Sequence, residues 1–289
     1  MTSKEIFVFG YGYTGKFITD AFLKANYSDT FLNTNYSISA TSNKWFPHIR
    51  MYDFRDPNAH KSIASRAEIC DAIIVTIPPV KGEDVVFNFL KTHQIKPKQI
   101  IYCSSTGLYA DQNGHWVTEK SPLCLDSEIS KTRYQIEQKW STEYDAVILR
   151  LSGIYGPDRN LISRFLKAPI KILKDKKEHL FNRIHVEDIA NIIVKLVEKN
   201  ITNEIFNLAD QMPTPLMQVL DFIFDEMRLD RAKHIEEVSF SDLSPMMQYF
   251  YASNKRISNQ KMIDTLHYRF IYPDYKKGFK HIIAKKQYG

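Results

Sequence analysis

The chain has 289 residues, of which 44% are hydrophobic, 13% aromatic and 25% charged. This balance excludes an intrinsically disordered chain and allows one large core, with or without a smaller lobe. The formal net charge is +6, and the densest basic run, residues 174–177, contains an acid. A solvent-exposed loop is therefore favoured over a nucleic-acid-binding patch for this run.

The lengths of the apolar runs and the number of cysteines limit the cellular compartment and the metal or disulfide sites that this chain can have. No apolar run reaches the length of a transmembrane helix, and the first residues lack the apolar core of a signal peptide. The three cysteines Cys70, Cys103 and Cys124 lack metal-ligand spacing, and their odd number does not suit a disulfide scaffold. These features predict a cytoplasmic protein with no metal site and no membrane or nucleic-acid partner.

The first two-thirds of the chain alternates short β-rich runs with helical patterns. In chain order, the predicted elements are strand 6–9, helix 14–25, strand 36–41, strand 72–77, strand 99–104, helix 130–141, strand 146–151, helix 186–199 and strand 205–208. Largely apolar strands that alternate with helices predict an α/β fold, a doubly wound parallel sheet covered on both faces.

The last third changes character and predicts a smaller, mostly helical C-terminal lobe. Thr214 is expected to cap a helix whose first residue is Pro215. An apolar stripe then runs from Leu216 to Met227 at helical spacing.

Three of only ten glycines lie close together between the first strand and the first helix. Gly10, Gly12 and Gly15 form a Gly-x-Gly-x-x-Gly motif in that position. Gly10 permits a tight turn, Gly12 lets the backbone approach a pyrophosphate, and Gly15 lets the helix pack close to the strand. The N-terminus of the helix, at Tyr13 and Thr14, offers N–H groups to the anion. The alternative is a glycine turn without a ligand.

The end of the second strand distinguishes between the two nicotinamide dinucleotides. An acidic residue there would bind the 2′-hydroxyl of NAD. This strand is instead followed by Ser42, Asn43 and Lys44. Ser42 and Asn43 can form hydrogen bonds, and Lys44 can form an ion pair with a 2′-phosphate. The sequence therefore favours NADP(H) over NAD(H). The alternative is that Lys44 is simply exposed.

Further segments resemble the extended short-chain dehydrogenase/reductase superfamily, which includes nucleotide-sugar epimerases and dehydratases. The matching segments are Tyr52–Asp56, Ser104–Tyr109, Arg150–Pro157, Arg183–Asp188 and Phe206–Leu208. Two more segments, Ser253–Arg256 and Tyr272–Tyr275, are similar to an atypical subgroup of this superfamily. The resemblance implies a Rossmann fold, a catalytic serine at Ser105 and an aspartate near the adenine at Asp53. It also implies cofactor contacts from Thr76, Pro78, Ser104 and Gly153.

Two of the matching segments also have purely structural interpretations. Arg150 can serve as an ion-pair partner within the core instead of lying near the nicotinamide. His185 with Asp188 is expected to cap and orient a helix.

The segment that should carry the catalytic tyrosine departs from the family pattern Tyr-x-x-x-Lys-x-x-x-Glu. Aligned on Glu137, this chain has Ile129 in place of the tyrosine and Arg133 in place of the lysine. Arg133 can bond a ribose or a phosphate but cannot transfer a proton near neutral pH. Alternatively, Arg133 and Glu137 form only a surface salt bridge. The remaining proton routes are water, Tyr109 or Tyr155.

These observations leave two functions open. One is an NADP(H)-dependent oxidoreductase or epimerase-like enzyme acting on a carbonyl compound or a nucleotide sugar, with Ser105, Arg133 and Tyr109 in its catalytic site. The other is a catalytically silent module that senses NADP(H) and regulates a partner. The expected dinucleotide-binding domain is 1–155, its sheet completed by 182–210, and the expected substrate lobe is 156–181 with 211–289. A homodimer is the expected assembly.

Overall fold

The computed structural model describes residues 2–26 and 34–287. The strands are β1 (Thr2–Phe9), β2 (Thr34–Thr41), β3 (Arg50–Tyr52), β4 (Ala72–Val75), β5 (Ile100–Ser105), β6 (Trp116–Val117), β7 (Val147–Leu151), β8 (Gly153–Tyr155), β9 (Ile170–Leu173), β10 (Leu180–Phe181), β11 (Arg183–His185), β12 (Ile205–Leu208), β13 (Thr214–Pro215), β14 (Ile235–Val238) and β15 (Arg256–Ile257). The helices are α1 (Tyr13–Ala25), α2 (His60–Glu68), α3 (Val85–Thr92), α4 (Glu128–Tyr144), α5 (Leu161–Phe165), α6 (Val186–Glu198), α7 (Leu216–Met227), α8 (Pro245–Tyr251), α9 (Gln260–Leu266) and α10 (Tyr275–Gln287).

The central feature is a seven-stranded parallel sheet in the order β12-β7-β5-β4-β1-β2-β3. In register, Phe7 lies opposite both Ser39 of β2 and Ile73 of β4. Strand order therefore reverses on either side of β1, as in a Rossmann fold, where ligands bind outside the carboxyl ends of the strands at this switch point. The predicted α/β doubly wound sheet is confirmed.

Burial explains why the sheet must be covered on both faces. Neighbouring residues of β1, such as Ile6 and Phe7, point to opposite faces, and both are fully buried. On one face, side chains of α2, α3 and α4 complete an apolar cluster around Phe7 and Tyr102. Largely apolar strands are thus stable here only because both faces exclude water.

Contacts divide the chain into two compact units. The first contains residues 1–105, 125–150 and 189–206, and the second contains 106–124, 151–188 and 207–289. This grouping places residues 106–124 with the C-terminal residues, whereas the sequence predicts them in the dinucleotide-binding domain. The functional domain boundaries stay a prediction.

The second unit combines helices with short two-stranded sheets. Its strands pair as β8 with β11, β9 with β14, β10 with β13 and β6 with β15. Its apolar core lies around α7 and α10, where residues such as Leu220 and Phe279 are buried.

Three elements of the first unit are absent from the sequence prediction: β3, α2 and α3. These elements have three, nine and eight residues. Runs this short show too few periods of apolar spacing for a pattern to identify them. Helix α3 begins where the buried carboxylate of Asp84 accepts hydrogen bonds from Val86 and Phe87.

The predicted capping at the start of α7 is wrong. Thr214 and Pro215 form β13, and α7 begins at Leu216 with no side-chain cap. The Thr214 hydroxyl instead donates to the carbonyl of Met212, 2.7 Å away. Pairing with β10 therefore wins over the local capping preference.

The expectation that His185 and Asp188 cap and orient a helix holds for His185. His185 Nδ1 accepts a hydrogen bond from the backbone N–H of Glu187 at the start of α6. Asp188 instead accepts bonds from the Tyr268 hydroxyl and from the backbone N–H groups of Ile271 and Tyr272. All of these groups belong to the second unit, so Asp188 joins two distant segments of that unit.

Candidate functional site

The turn after β1 is held by the ends of two neighbouring strands. The Gly10 N–H donates to Thr41 Oγ1 at the end of β2, over 2.8 Å. The Thr76 hydroxyl, just after β4, donates to the Gly10 carbonyl over 2.7 Å. Thr76, predicted to contact a cofactor, therefore positions the turn itself. These bonds fix the loop at the switch point of the sheet.

The three glycines of the turn differ in what surrounds them. Gly10 has φ +104°, and a Cβ there would lie 2.5 Å from Thr76 Oγ1. A Cβ on Gly15 would collide with the carbonyl oxygen of Gly10. A Cβ on Gly12 would have nothing within 4 Å. The protein itself thus requires Gly10 and Gly15, while the space beside Gly12 remains open to a ligand.

Helix α1 begins directly behind this open space. Gly12 is its N-cap residue, no side chain caps it, and its first turn has no acidic residue. The N–H groups of this first turn, which contains Tyr13 and Thr14, belong to the positive end of a helix of 13 residues. The arrangement suits an anion that approaches over Gly12.

The loop after β2 lies beside the glycine turn. The ring of Phe46 packs 4.5 Å from that of Tyr11, centroid to centroid. Ser42 Oγ accepts a hydrogen bond from the Lys44 N–H at 3.0 Å. Asn43 and Lys44 are exposed. Across the residues that the structure describes, Lys44 forms no ion pair, so its charge is available to an anionic group.

Asp53, predicted to lie near the adenine, is engaged by a neighbour. Arg55 donates to both of its carboxylate oxygens, over 3.1 Å and 3.0 Å. This guanidinium holds the pKa of the Asp53 carboxyl below its usual value. The Asp53 carboxylate therefore serves to form the turn after β3 in this structure.

Ser104 belongs to a buried polar cluster beneath the end of β5. Its hydroxyl donates to Glu137 Oε1. Arg150 Nη2 donates to Glu137 Oε2 over 2.7 Å, and the two side chains are 3% and 0% exposed. The structural interpretation of Arg150 is confirmed. The surface bridge between Arg133 and Glu137 is wrong, because Glu137 faces the core and bonds to β5 and β7.

A cavity of about 250 Å³ lies between the loop after β4 and the first two turns of α4. Its lining residues are Pro79, Lys81, Gly82, Glu128, Ile129, Thr132 and Arg133. Ile129 and Arg133 therefore share one site, as expected from their positions in the family pattern. Ile129 is 66% exposed and forms an apolar wall where the pattern has a tyrosine.

Two further predicted site residues stand at the carboxyl ends of neighbouring strands. Ser105 is the last residue of β5 and is half-buried. Pro78, which follows the end of β4, is exposed. Both lie at the edge of the sheet where ligands bind in this type of fold.

The tyrosines considered for proton transfer are buried in the second unit. Tyr109 is 1% exposed, and its hydroxyl bonds to Asn207 Oδ1 over 2.6 Å. Tyr155 is 5% exposed and packs on the ring of Phe279. Their burial argues against the predicted role of Tyr109. Gly153 is exposed, in β8 of the same unit.

Sequence reasoning missed Lys81, which shares the cavity with Ile129 and Arg133. Its signal is the position of Lys81 between Pro78-Pro79 and Gly82, since proline and glycine are the strongest sequence markers of turns. Thr41, which bonds to the glycine turn, was also missed because strand-end threonines carry no distinctive pattern.

A larger cavity of about 530 Å³ lies within the second unit, between residues 174–179 and 251–254. The basic run forms a short, exposed 3₁₀ turn there, and Lys177 pairs with Glu237. Within residues 2–26 and 34–287, no three His, Cys, Asp or Glu residues are grouped to hold a metal ion. Of the helices in those ranges, none has the length and apolar character of a membrane span.

The chain is similar to known proteins in part of its sequence and in its fold. The model of the NAD dependent epimerase/dehydratase family matches residues 79–209. No curated protein matches the sequence. A functionally unknown conserved protein from Silicibacter pomeroyi is similar in structure, with 26% identity, a TM-score of 0.79, and 98% of this chain and 99% of that chain covered.

Two more distant structures share the fold. A dTDP-glucose 4,6-dehydratase from Bacillus anthracis, in complex with NAD, has 15% identity and a TM-score of 0.76, covering 99% of this chain and 97% of its own. A human epimerase family protein with NADPH has 13% identity and a TM-score of 0.70, covering 97% of this chain and 99% of its own. With the family-model match over residues 79–209, the resemblance to the epimerase/dehydratase group is confirmed.

Proposed function

We propose that this chain, which resembles the NAD-dependent epimerases and dehydratases, binds a nicotinamide dinucleotide at the turn after β1. The observation that carries the proposal is the open space beside Gly12, in front of the uncapped N-terminus of α1. A pyrophosphate there would meet N–H groups and no side chain. The dinucleotide-bound neighbours with the same fold support this assignment.

Within this proposal, NADP(H) is favoured over NAD(H). Lys44, exposed after β2, supplies a cation for a 2′-phosphate, and Ser42 and Asn43 supply polar groups beside it. The loop that follows β2 has no carboxylate to bind a free 2′-hydroxyl. The loop is also held against the glycine turn through Phe46 and Tyr11, which would bring Lys44 near the adenosine end.

The proposed activity is that of an oxidoreductase or epimerase-like enzyme with a carbonyl or nucleotide-sugar substrate. The nicotinamide, when bound, supplies or accepts a hydride. Ser105, at the end of β5, would donate a hydrogen bond to the carbonyl oxygen. Arg133 would hold the ribose or a phosphate. Ile129 in place of the tyrosine leaves proton transfer to water, a step worth roughly 10²–10⁴-fold in rate when a side chain performs it.

The second function is a sensor of NADP(H) that regulates a partner without turnover. The observation that favours it is Ile129, because an exposed isoleucine cannot donate a proton. A turnover screen with NADPH and carbonyl compounds distinguishes the two functions. Oxidation of NADPH by the wild-type chain, at a rate that is lower in the Ser105→Ala variant, supports the enzyme. Binding without oxidation, with a change in oligomeric state, supports the sensor. The homodimer stays part of the same proposal.

The first test is a calorimetric titration with NADP⁺, NADPH, NAD⁺ and NADH. We expect Lys44→Ala to weaken binding of the two phosphorylated forms about tenfold, since it removes one charge-assisted contact. Binding of NAD⁺ and NADH should change by less than about twofold. Lys24→Ala, an exposed lysine in the last turn of α1, is the matched control. Absence of binding to all four dinucleotides would refute the proposed function.

A further inference from the structure

The cavity next to α4 presents a second cation beside Arg133, the residue that the proposed function assigns to a ribose or a phosphate. Lys81 and Arg133 both line it, and neither forms an ion pair within the described ranges 2–26 and 34–287. The one acidic residue in the lining, Glu128, has a side chain that is 87% exposed and pairs with Lys131 over 3.2 Å. The cavity therefore carries uncompensated positive charge.

The backbone at Lys81 is in an unusual conformation. The N–H of Val80 donates to the Glu83 carbonyl over 2.9 Å, and the N–H of Glu83 donates back over 3.1 Å. Lys81 and Gly82, between them, have φ values of +51° and +87°. Two successive left-handed residues make a tight hairpin turn, for which Asn-Gly is the favoured pair. A lysine in the first position is disfavoured locally, which points to a use for its side chain.

The turn is attached firmly to the helix on the other side of the cavity. Asp84, only 5% exposed, follows it directly and caps α3. The other carboxylate oxygen of Asp84 accepts a hydrogen bond from the indole N–H of Trp140 in α4 over 2.9 Å. The hairpin that carries Lys81 is thus fixed relative to α4, which carries Arg133.

We infer that this cavity binds the anionic group, a carboxylate or a phosphate, of a small substrate through Lys81 beside Arg133. The inference rests on the proposed function, because it names the substrate class of the same site. A volume of about 250 Å³ is below the roughly 300–1,000 Å³ of sites for drug-sized ligands, so the bound part is compact. Ile129 and Pro79 would contact the apolar part of that substrate.

The test measures binding of unreactive alcohols to the full chain saturated with NADPH, by calorimetry at fixed ionic strength. Glycerol 3-phosphate is compared with glycerol, and 4-hydroxybutyrate with 1-butanol. We expect at least one anionic probe to bind about tenfold more tightly than its neutral counterpart. The phosphate pair and the carboxylate pair identify which anion the site takes.

The decisive variant is Lys81→Asn, which removes the charge and leaves the favoured Asn-Gly pair in the turn. We expect it to abolish most of the preference for the anion, with NADPH affinity unchanged within about twofold. Lys81→Arg should restore the preference. Lys139→Ala, on the exposed side of α4 and outside the cavity lining, should have no effect.

The inference would be overturned by no binding of any probe, by equal binding of anionic and neutral probes, or by a preference that survives in Lys81→Asn. Equal losses in Lys81→Asn and Lys139→Ala would also overturn it, because they would indicate a diffuse charge effect. The same titrations on the chain without NADPH distinguish a failure of the anion-binding inference from a failure of the proposed dinucleotide binding. A chain that does not bind NADPH but binds the anion through Lys81 loses only the dinucleotide proposal.

Discussion

At the scale of single residues, the glycines of the turn after β1 separate folding from ligand binding. Gly10 and Gly15 are surrounded by atoms of the chain, while Gly12 faces open space. Glycine is explained by a left-handed backbone at position 10 and by the close approach of the helix at position 15. Glycine at position 12 is required by no neighbouring atom, and the proposed dinucleotide would use the open space beside it.

We therefore expect Gly12→Ala to weaken dinucleotide binding at least about tenfold while reducing the free energy of unfolding by no more than about 1 kcal/mol. Gly15→Ala is the comparison, and its collision with the Gly10 carbonyl should lower that free energy by more than about 2 kcal/mol. Calorimetry and urea unfolding measure the two effects. A Gly12→Ala protein with normal affinity would show that nothing binds over this residue.

At the scale of elements, the buried pair of Glu137 and Arg150 joins α4 to the sheet. Glu137 on α4 bonds to Ser104 of β5 and to Arg150 of β7. Both charges are almost completely buried, so each depends on the other for compensation. This contact sets the position of α4, and with it the cavity-lining residues Ile129 and Arg133.

Breaking this pair should be much more costly than breaking a surface pair between elements of the same unit. We expect Glu137→Gln to lower the free energy of unfolding by about 3–5 kcal/mol, because it leaves Arg150 charged and unpaired in the core. The comparison is Lys91→Ala, which removes a 2.8 Å bridge to Glu143 between exposed side chains and should cost less than about 1 kcal/mol. Urea unfolding compares the variants, and equal losses would contradict this assignment.

At the scale of the whole molecule, two buried groups of the second unit link stability to pH with opposite signs. Burial lowers the pKa of His185 to about 3, among the rings of Tyr155, Tyr272 and His281. Burial raises the pKa of Asp210 to about 7, and its Oδ2 has no hydrogen-bond partner among the described residues. Each group is thus held in its neutral form more strongly when the chain is folded.

The histidine destabilises the fold on the acid side. As pH falls below about 6.5, His185 becomes protonated in the unfolded chain, whereas in the folded chain it stays neutral until about pH 3. Protonation therefore favours the unfolded chain over this interval. We expect His185→Asn to gain stability relative to wild type as pH falls from 7 to 5, by up to about 1.4 kcal/mol per pH unit. Urea unfolding at several pH values measures the slope, and a difference constant with pH would contradict the shift.

The aspartate acts in the opposite direction. Folded Asp210 keeps a proton that the unfolded chain releases near pH 4, so stability is lost as pH rises from about 4 to about 7. The free energy of unfolding of Asp210→Asn, relative to wild type, should rise over this interval and stay constant at higher pH. The two variants therefore have opposite pH slopes, which a general effect of substitution cannot produce.

Local patterns in the sequence suffice to identify the longer elements of this fold. The main strands, the helix after the glycine turn and helix α4 were identified from apolar spacing, and their bounds differ from the structure by a few residues. Short elements such as β3 and α2 were missed. Thr214 shows a local capping preference overruled by strand pairing.

The sequence by itself determined the fold class and the place of the glycine turn, because alternation and backbone freedom are local properties of the chain. Only the tertiary structure decided which partner Glu137 takes, that Tyr109 is buried, and that Lys81 and Arg133 line one cavity. Those outcomes depend on side chains that parallel strands and crossover helices bring together from distant positions. Spacing along one helix or strand contains no information about such neighbours.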